Sequence, residues 1–250
     1  MIPAYWWNQR KNFGDQLTPW LLEQITGQKV VCSESSPRIV SLGSALAHAK
    51  TKDIVWGSGL WHRHEKIADT LEIHALRGPL TYRVAVKKFP DIPEVFGDPA
   101  ILLSRYYSPN VSRFPGVTVI AHLSDEWLED GNRRVSVEEP PLAVVDAIAS
   151  SEIIVTSSLH ALIIAEVYGI PVVPLRSSQH LRREPHFKFV DYFASTDRKD
   201  YTLFDQPIRE AVRNVRKIPK PKFPDREKLL AAFPWDRLET LQKNSLEHKE

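Results

Sequence analysis

The stretch "VTSSLHALIIAEVYGIPVVPL", residues 155–175, sets a histidine where a small polar turn becomes an apolar helix. Thr156, Ser157 and Ser158 precede that helix, so one of them is expected to cap it. Hydroxyls and free first-turn amides at such a helix start can hold an anion. The positive helix end also disfavours imidazolium, which pushes His160 toward its neutral form. A neutral imidazole beside an anion pocket suits general acid/base work. A histidine hydrogen-bonded into the core is the other reading. Behind it, Leu159, Leu162, Ile163 and Val167 recur at helical spacing, and Gly169 closes the helix before Pro171.

A second constellation is "KNFGDQLTPWLLEQITG", residues 11–27. Asn12, Gly14 and Asp15 stand before an apolar-periodic helix that closes at Gly27. Asp15 can be its N-cap, and Gly14 allows a ligand to come close to the backbone. Arg77, in "ALRGPLTYR", lies just before a helix start, and arginine matches phosphate and carboxylate geometry bidentately. A solvated arginine is the alternative there. Asp98 stands at a strand end in "FGDPAILL", where a cap or turn role is equally open. His122 and Asp125 lie just past another strand end and could meet a ligand together.

These residues need a frame, and the chain reads as strands alternating with helices. Strands are expected at 38–44, 52–59, 70–76, in "PEVFG" up to Gly97, at 116–124 and in "EIIVTS". Helices are expected from Pro79, over "EPPLAVVDAIASS" and after Ser158. That rhythm argues for parallel α/β layers, in which ligands bind outside the carboxyl ends of the strands. The polar stretch 104–116 is the expected junction between two α/β runs. Residues 205–250 read as a basic, proline-broken tail followed by a packing helix.

The 250 residues suffice for one large domain or two modest ones. A net charge of +2 asks for no polyanionic partner, so nucleic acid is not expected. The single cysteine, Cys32, excludes an internal disulfide and a multi-cysteine metal site. "HRHE", residues 62–65, offers two histidines without a third ligand, so no metal is expected. "GSGLWH" lacks the third glycine of a dinucleotide loop. The N-terminus has no signal-peptide core, and no apolar run is long enough to span a bilayer. A cytoplasmic protein is expected, with the basic tail able to meet anionic headgroups.

Four ordered motifs resemble the polysaccharide pyruvyl transferase family. They are "NFGDQLTPWLLEQITG", "VWGSGL…ALRGPLTYR", "FGDPAILL" and "SSLHALIIAEVYGIPVVPL", with "FKFVDYFAS" (187–195) similar to the segment that follows. The resemblance covers about residues 5 to 195. It implies a GT-B-like fold of two Rossmann-like α/β domains facing across a cleft. The domains would be 1–109 on the acceptor side and 110–204 on the donor side, with 205–250 as the tail.

The resemblance also implies a reaction. Pyruvate from phosphoenolpyruvate is placed as a ketal across two hydroxyls of a sugar, and phosphate leaves. The donor carries its own activated enol, so no cofactor and no metal are implied. The acceptor would be a surface polysaccharide or a lipid-linked oligosaccharide, met in the cytoplasm or at the inner face of the membrane. His160 matches the catalytic histidine, and Asp15 joins it in catalysis. Asn12, Gly14 and Asp15 would address the acceptor. Ser157, Ser158, Leu159, Arg77, His122, Arg182 and Arg183 would hold the donor, with His180 also a candidate. Members often carry arginine where this chain has Ser158, and Arg77 is ranked first to replace that charge. "HLRREPH" (180–186) would be a basic loop over the donor. A nucleotide-sugar glycosyltransferase and a non-catalytic carbohydrate binder are the alternatives.

Overall fold

The computed structural model describes residues 1–125, 132–176, 186–199, 202–204 and 208–247. The first sheet holds β1 (Ile2–Tyr5), β2 (Val30–Cys32), β3 (Ile39–Val40), β4 (Ile54–Trp56) and β5 (Glu72–Ala75). Its order is β2-β1-β3-β4-β5. The second holds β6 (Phe114–Ile120), β7 (Arg133–Arg134), β8 (Ser151–Thr156) and β9 (Val172–Pro174), in the order β7-β6-β8-β9. Every pairing between these strands is parallel. In each sheet the first strand lies between the second and the third. The winding therefore reverses between β1 and β3, and again between β6 and β8, which is where doubly wound sheets open a crevice.

The helices are α1 (Phe13–Thr26), α2 (Pro79–Ala85), α3 (Leu103–Tyr106), α4 (Pro141–Ser150) and α5 (Leu159–Val167). They continue with α6 (Phe187–Ser195), α7 (Ile208–Arg213), α8 (Arg226–Ala231) and α9 (Leu238–Glu247). No described helix is long and apolar enough to cross a membrane.

Strand alternation explains the layering, because neighbouring residues point to opposite faces. Ile39, Ile54 and Trp56 enter one core, while Val40 and Val55 enter another. In the second sheet Ile120, Ile154 and Val172 share the first core, while Val119, Val155 and Val173 face a third. One apolar core thus joins one face of each sheet, and α1, α4 and α5 contribute to it. Helix α5 is apolar nearly all round and buries Leu159 and every residue from Ala161 to Glu166. The tail returns to the first sheet: Leu229, Phe233 and Leu241 join the shared core. Trp56 Nε1 donates to the Leu229 carbonyl at 2.9 Å.

Several expectations need correction. Asn12, not Asp15, caps α1, its Oδ1 accepting from Gly14 N at 3.1 Å; Asp15 stands inside the first turn. The strand expected before Gly97 is reduced to a single bridge from Phe96 to Leu76, with Asp98 capping a short 3-10 turn. The strand expected at 116–124 is β6, which starts at Phe114 and stops at Ile120. A bulge between Phe114 and Val117, with Gly116 at φ 98°, carries it across the Pro115–Gly116 break. The expected tail helix is two helices, interrupted around Pro234. Strands β1 and β2 carry no alternating signal long enough to read: four residues including a proline, and three residues.

Candidate active site

His160 occupies the first turn of α5, just past the end of β8. Its ring lies between Gly14 of α1 and Gly43 of the loop after β3. A Cβ on Gly14 would stand 2.1 Å from Nδ1, and one on Gly43 would stand 2.9 Å from Cε1. Gly43 also has φ 75°, a conformation that favours glycine. The imidazole therefore fills the crevice where the first sheet reverses its winding. Gly14, expected to admit a ligand, admits this ring.

His160 Nε2 is buried without a hydrogen-bond partner and lies 3.9 Å from Asp98 Oδ2. Asp98 is itself held in place: Oδ2 accepts from Gly43 N at 3.1 Å and Oδ1 from Ala100 N at 3.0 Å. Burial pushes the His160 pKa down, and Asp98 pulls it back up; Lys188 and Arg77 push it down further. The neutral imidazole expected from the helix end is thus favoured first by desolvation.

Around this ring the ends of both sheets supply more ionisable groups. Burial pushes the Asp15 carboxyl up to about 7, against the pull of Lys188 and with the repulsion of Asp98. Lys188, on α6, is 4% exposed, and its Nζ sits 3.6 Å from the ring centroid of Trp61. Burial pushes its ammonium down to about 7 and Arg77 pushes the same way, while Asp15 and Asp125 pull it up. Trp61 packs edge-on to His122, ring centroids 5.5 Å apart. Its backbone N–H donates to Glu65 Oε2 at 2.6 Å, which gives the 62–65 turn a structural task. Past β6, Asp125 Oδ2 accepts from Ser157 Oγ at 2.5 Å, and Ser157 Oγ accepts from His122 N at 2.9 Å. The loops after β1, β3, β4, β6 and β8 meet here, all at carboxyl ends of strands.

The other expected site residues fall as follows. Ser158 caps α5, its Oγ accepting from Ala161 N at 3.5 Å. Leu159 is buried in the shared core, so only its backbone could serve a ligand. His180, Arg182 and Arg183 lie outside the described residues. Arg77 corrects the expectation of a solvated side chain, because it is fully buried. Nε donates to Asp191 Oδ2 at 3.0 Å, Nη1 to Ser44 Oγ at 2.6 Å and Nη2 to the Leu60 carbonyl at 2.5 Å. Its guanidinium ties three segments together.

Sequence reasoning missed Lys188, Gly43 and the approach of Asp98 to His160. For Lys188 a signal existed. Lys188, Asp191 and Tyr192 share one helical stripe that also carries Phe residues at its flanks, and a charged pair on a buried stripe is unusual. Gly43 had none, since a glycine after a short strand has many uses.

The profile of one family, polysaccharide pyruvyl transferase, matches residues 12–179. The chain belongs to the polysaccharide pyruvyl transferase family. The matched segment thus runs from the cap of α1, through Asp98, to past β9, and includes Gly14, Gly43 and Asp98 around the His160 ring. Among curated proteins, the chain is 27% identical over 214 residues to the succinoglycan biosynthesis protein ExoV of Rhizobium meliloti (strain 1021). That match covers 77% of this chain and 64% of ExoV. It is 26% identical over 202 residues to the uncharacterized protein L143 of Acanthamoeba polyphaga mimivirus, covering 73% of this chain and 70% of L143.

Proposed function

We propose that the chain transfers pyruvate from phosphoenolpyruvate to two hydroxyls of a sugar, closing a pyruvate ketal in a surface polysaccharide or glycolipid intermediate. Family membership and the similarity to a succinoglycan biosynthesis protein support pyruvyl transfer in polysaccharide synthesis. The observation that carries the chemistry is His160 Nε2, buried, unbonded and within reach of Asp98.

A neutral imidazole can take a proton from the first sugar hydroxyl and deliver it to the donor's methylene carbon. The hydroxyl oxygen bonds to the enol carbon as that methylene becomes methyl. Loss of phosphate then breaks the carbon–oxygen bond to the leaving group. The second hydroxyl closes the ketal and releases its proton, which the departing phosphate or Asp15 accepts. Asp98 stabilises the imidazolium formed in between. The first-turn amides of α5, with Ser157 and Ser158 beside them, offer a place for donor oxygens. Asn12 and Asp15, across from α5, suit the acceptor hydroxyls. In this reading the two sheets act as GT-B-like halves, 1–109 and 110–204, with 205–250 as the tail. The stretch "RNVRKIPKPKF" would let a lipid-linked acceptor be met at the cytoplasmic membrane face.

Thermal-shift titration with phosphoenolpyruvate, with UDP- and GDP-sugars in parallel, tests the donor. Stabilisation by phosphoenolpyruvate alone is expected; stabilisation by a nucleotide sugar alone would transfer the reading to glycosyl transfer. In turnover, His160→Ala is expected to lose about 10²–10⁴-fold in kcat while keeping its fold. Retained turnover would remove His160 from the mechanism.

A further inference from the structure

Four basic side chains among the described residues are buried: Arg38, Arg77, Lys188 and Arg198. Three are ion-paired, Arg38 with Asp53 at 3.0 Å, Arg77 with Asp191 at 3.0 Å and Arg198 with Glu166 at 2.5 Å. Lys188 has no hydrogen bond or ion pair with any described residue. Its Nζ rests on the face of Trp61 and near Phe189. A buried ammonium carries three donors that want acceptors, and a tryptophan face satisfies its charge only in part.

Its neighbours fix where it sits. Helix α6 is fixed one turn on, where Asp191 binds Arg77 and the start of α2. Trp61 is fixed by Glu65 and by its packing on His122. Lys188 is therefore held between the loop after β4 and the loop after β6, within the electrostatic reach of Asp15 and His160.

We propose that the Lys188 ammonium, steadied on the Trp61 ring, is the subsite that receives an oxyanion of the phosphoenolpyruvate donor. This rests on the donor reading above. A carboxylate or phosphate oxygen supplies the acceptors the ammonium lacks. Arg77 already directs Nε, Nη1 and Nη2 to protein acceptors. Anion entry beside Asp15 is helped by burial, which favours the uncharged form of that carboxyl.

The experiment titrates the full chain with phosphoenolpyruvate, inorganic phosphate and pyruvate, as wild type, Lys188→Met and Lys188→Arg, by calorimetry. Lys188→Gln replaces the methionine variant if that one does not fold. Phosphoenolpyruvate is expected to bind roughly tenfold or more weaker to Lys188→Met, with partial rescue in Lys188→Arg. The smaller anion that loses affinity in parallel, phosphate or pyruvate, identifies the end of the donor held. In turnover the loss is expected in KM for phosphoenolpyruvate more than in kcat. Wild-type affinity for phosphoenolpyruvate in Lys188→Met overturns this inference alone. Failure of the wild type to bind any of the three anions overturns the donor reading and this inference with it.

Discussion

Helix α6 carries two buried charges one turn apart, and they are treated in opposite ways. Asp191 accepts from Arg77 Nε at 3.0 Å, Leu80 N at 2.9 Å, Thr81 N at 3.0 Å and Thr81 Oγ1 at 2.7 Å. Lys188 accepts nothing, donates to nothing described and leans on a tryptophan ring. Both cost desolvation. Asp191 recovers it inside the protein, by capping α2 and fixing Arg77. The Lys188 cost is left open, and beside it Asp15 and His160 are pushed toward their uncharged forms. Fully bonded buried charge here holds segments together; the unbonded ionisable groups gather where five strand ends converge. A folded chain retains such a cluster at a stability cost when the cluster serves a ligand.

Breaking the bonded side should give the largest effect. Asp191→Ala leaves Arg77 buried and unpaired and uncaps α2, so a loss of about 3–5 kcal/mol is expected. Denaturant unfolding of the wild type and the variant measures it. Lys188→Met, by contrast, removes a charge without stranding a partner and should keep wild-type stability or exceed it. Comparable losses in both variants would erase the distinction drawn between them.

A smaller effect tests the crevice itself. Gly14→Ala puts a methyl where the His160 ring stands, and overpacking should cost about 1–3 kcal/mol. The informative readout is turnover, which should fall along with the displaced imidazole. Gly27→Ala is the control. Gly27 closes α1 at φ 69°, a conformation strained for other residues, but nothing lies within 4 Å of its added Cβ. It should lose stability of similar size, about 1–2 kcal/mol, with turnover intact. If both glycine variants keep full turnover, His160 does not need its present place.

How much of this was legible in the sequence follows from the range of the forces involved. The α5 unit reads directly, because Ser158, the apolar run and Gly169 are local signals for a cap, a buried helix and a stop. Strands β3, β4, β5 and β8 read for the same reason. Strand β1 was illegible although it is central, because its four residues are fixed by neighbours on both sides rather than by their own pattern. In the site, His160 was visible from its place at a strand end. The fate of Arg77 was not, because it depends on Asp191, 114 residues away. Lys188 and Asp98 reach His160 only through the packing of three separate segments, and no local spacing records that.

A further effect separates the two unbonded groups by the pH range in which each acts. Asp15 has a folded pKa of about 7, above its ordinary 3.8. Between those values the native state holds a proton that the unfolded chain has released, so stability falls as pH rises through that window. Lys188 has a folded pKa of about 7, below its ordinary 10.5. Between those values the unfolded chain holds the extra proton, so stability rises with pH there. The two slopes meet near neutrality, where the site costs the fold most. Asp15→Asn cannot ionise, so it should flatten the limb below neutrality and melt a few degrees above the wild type at pH 8, while matching it near pH 4. The limb above neutrality should survive in that variant and vanish in Lys188→Met. Melting curves across pH 4 to 10 decide it. Parallel curves for wild type and Asp15→Asn would mean that Asp15 is solvated rather than held in the buried cluster, and the contrast with Asp191 would then rest on Lys188 alone.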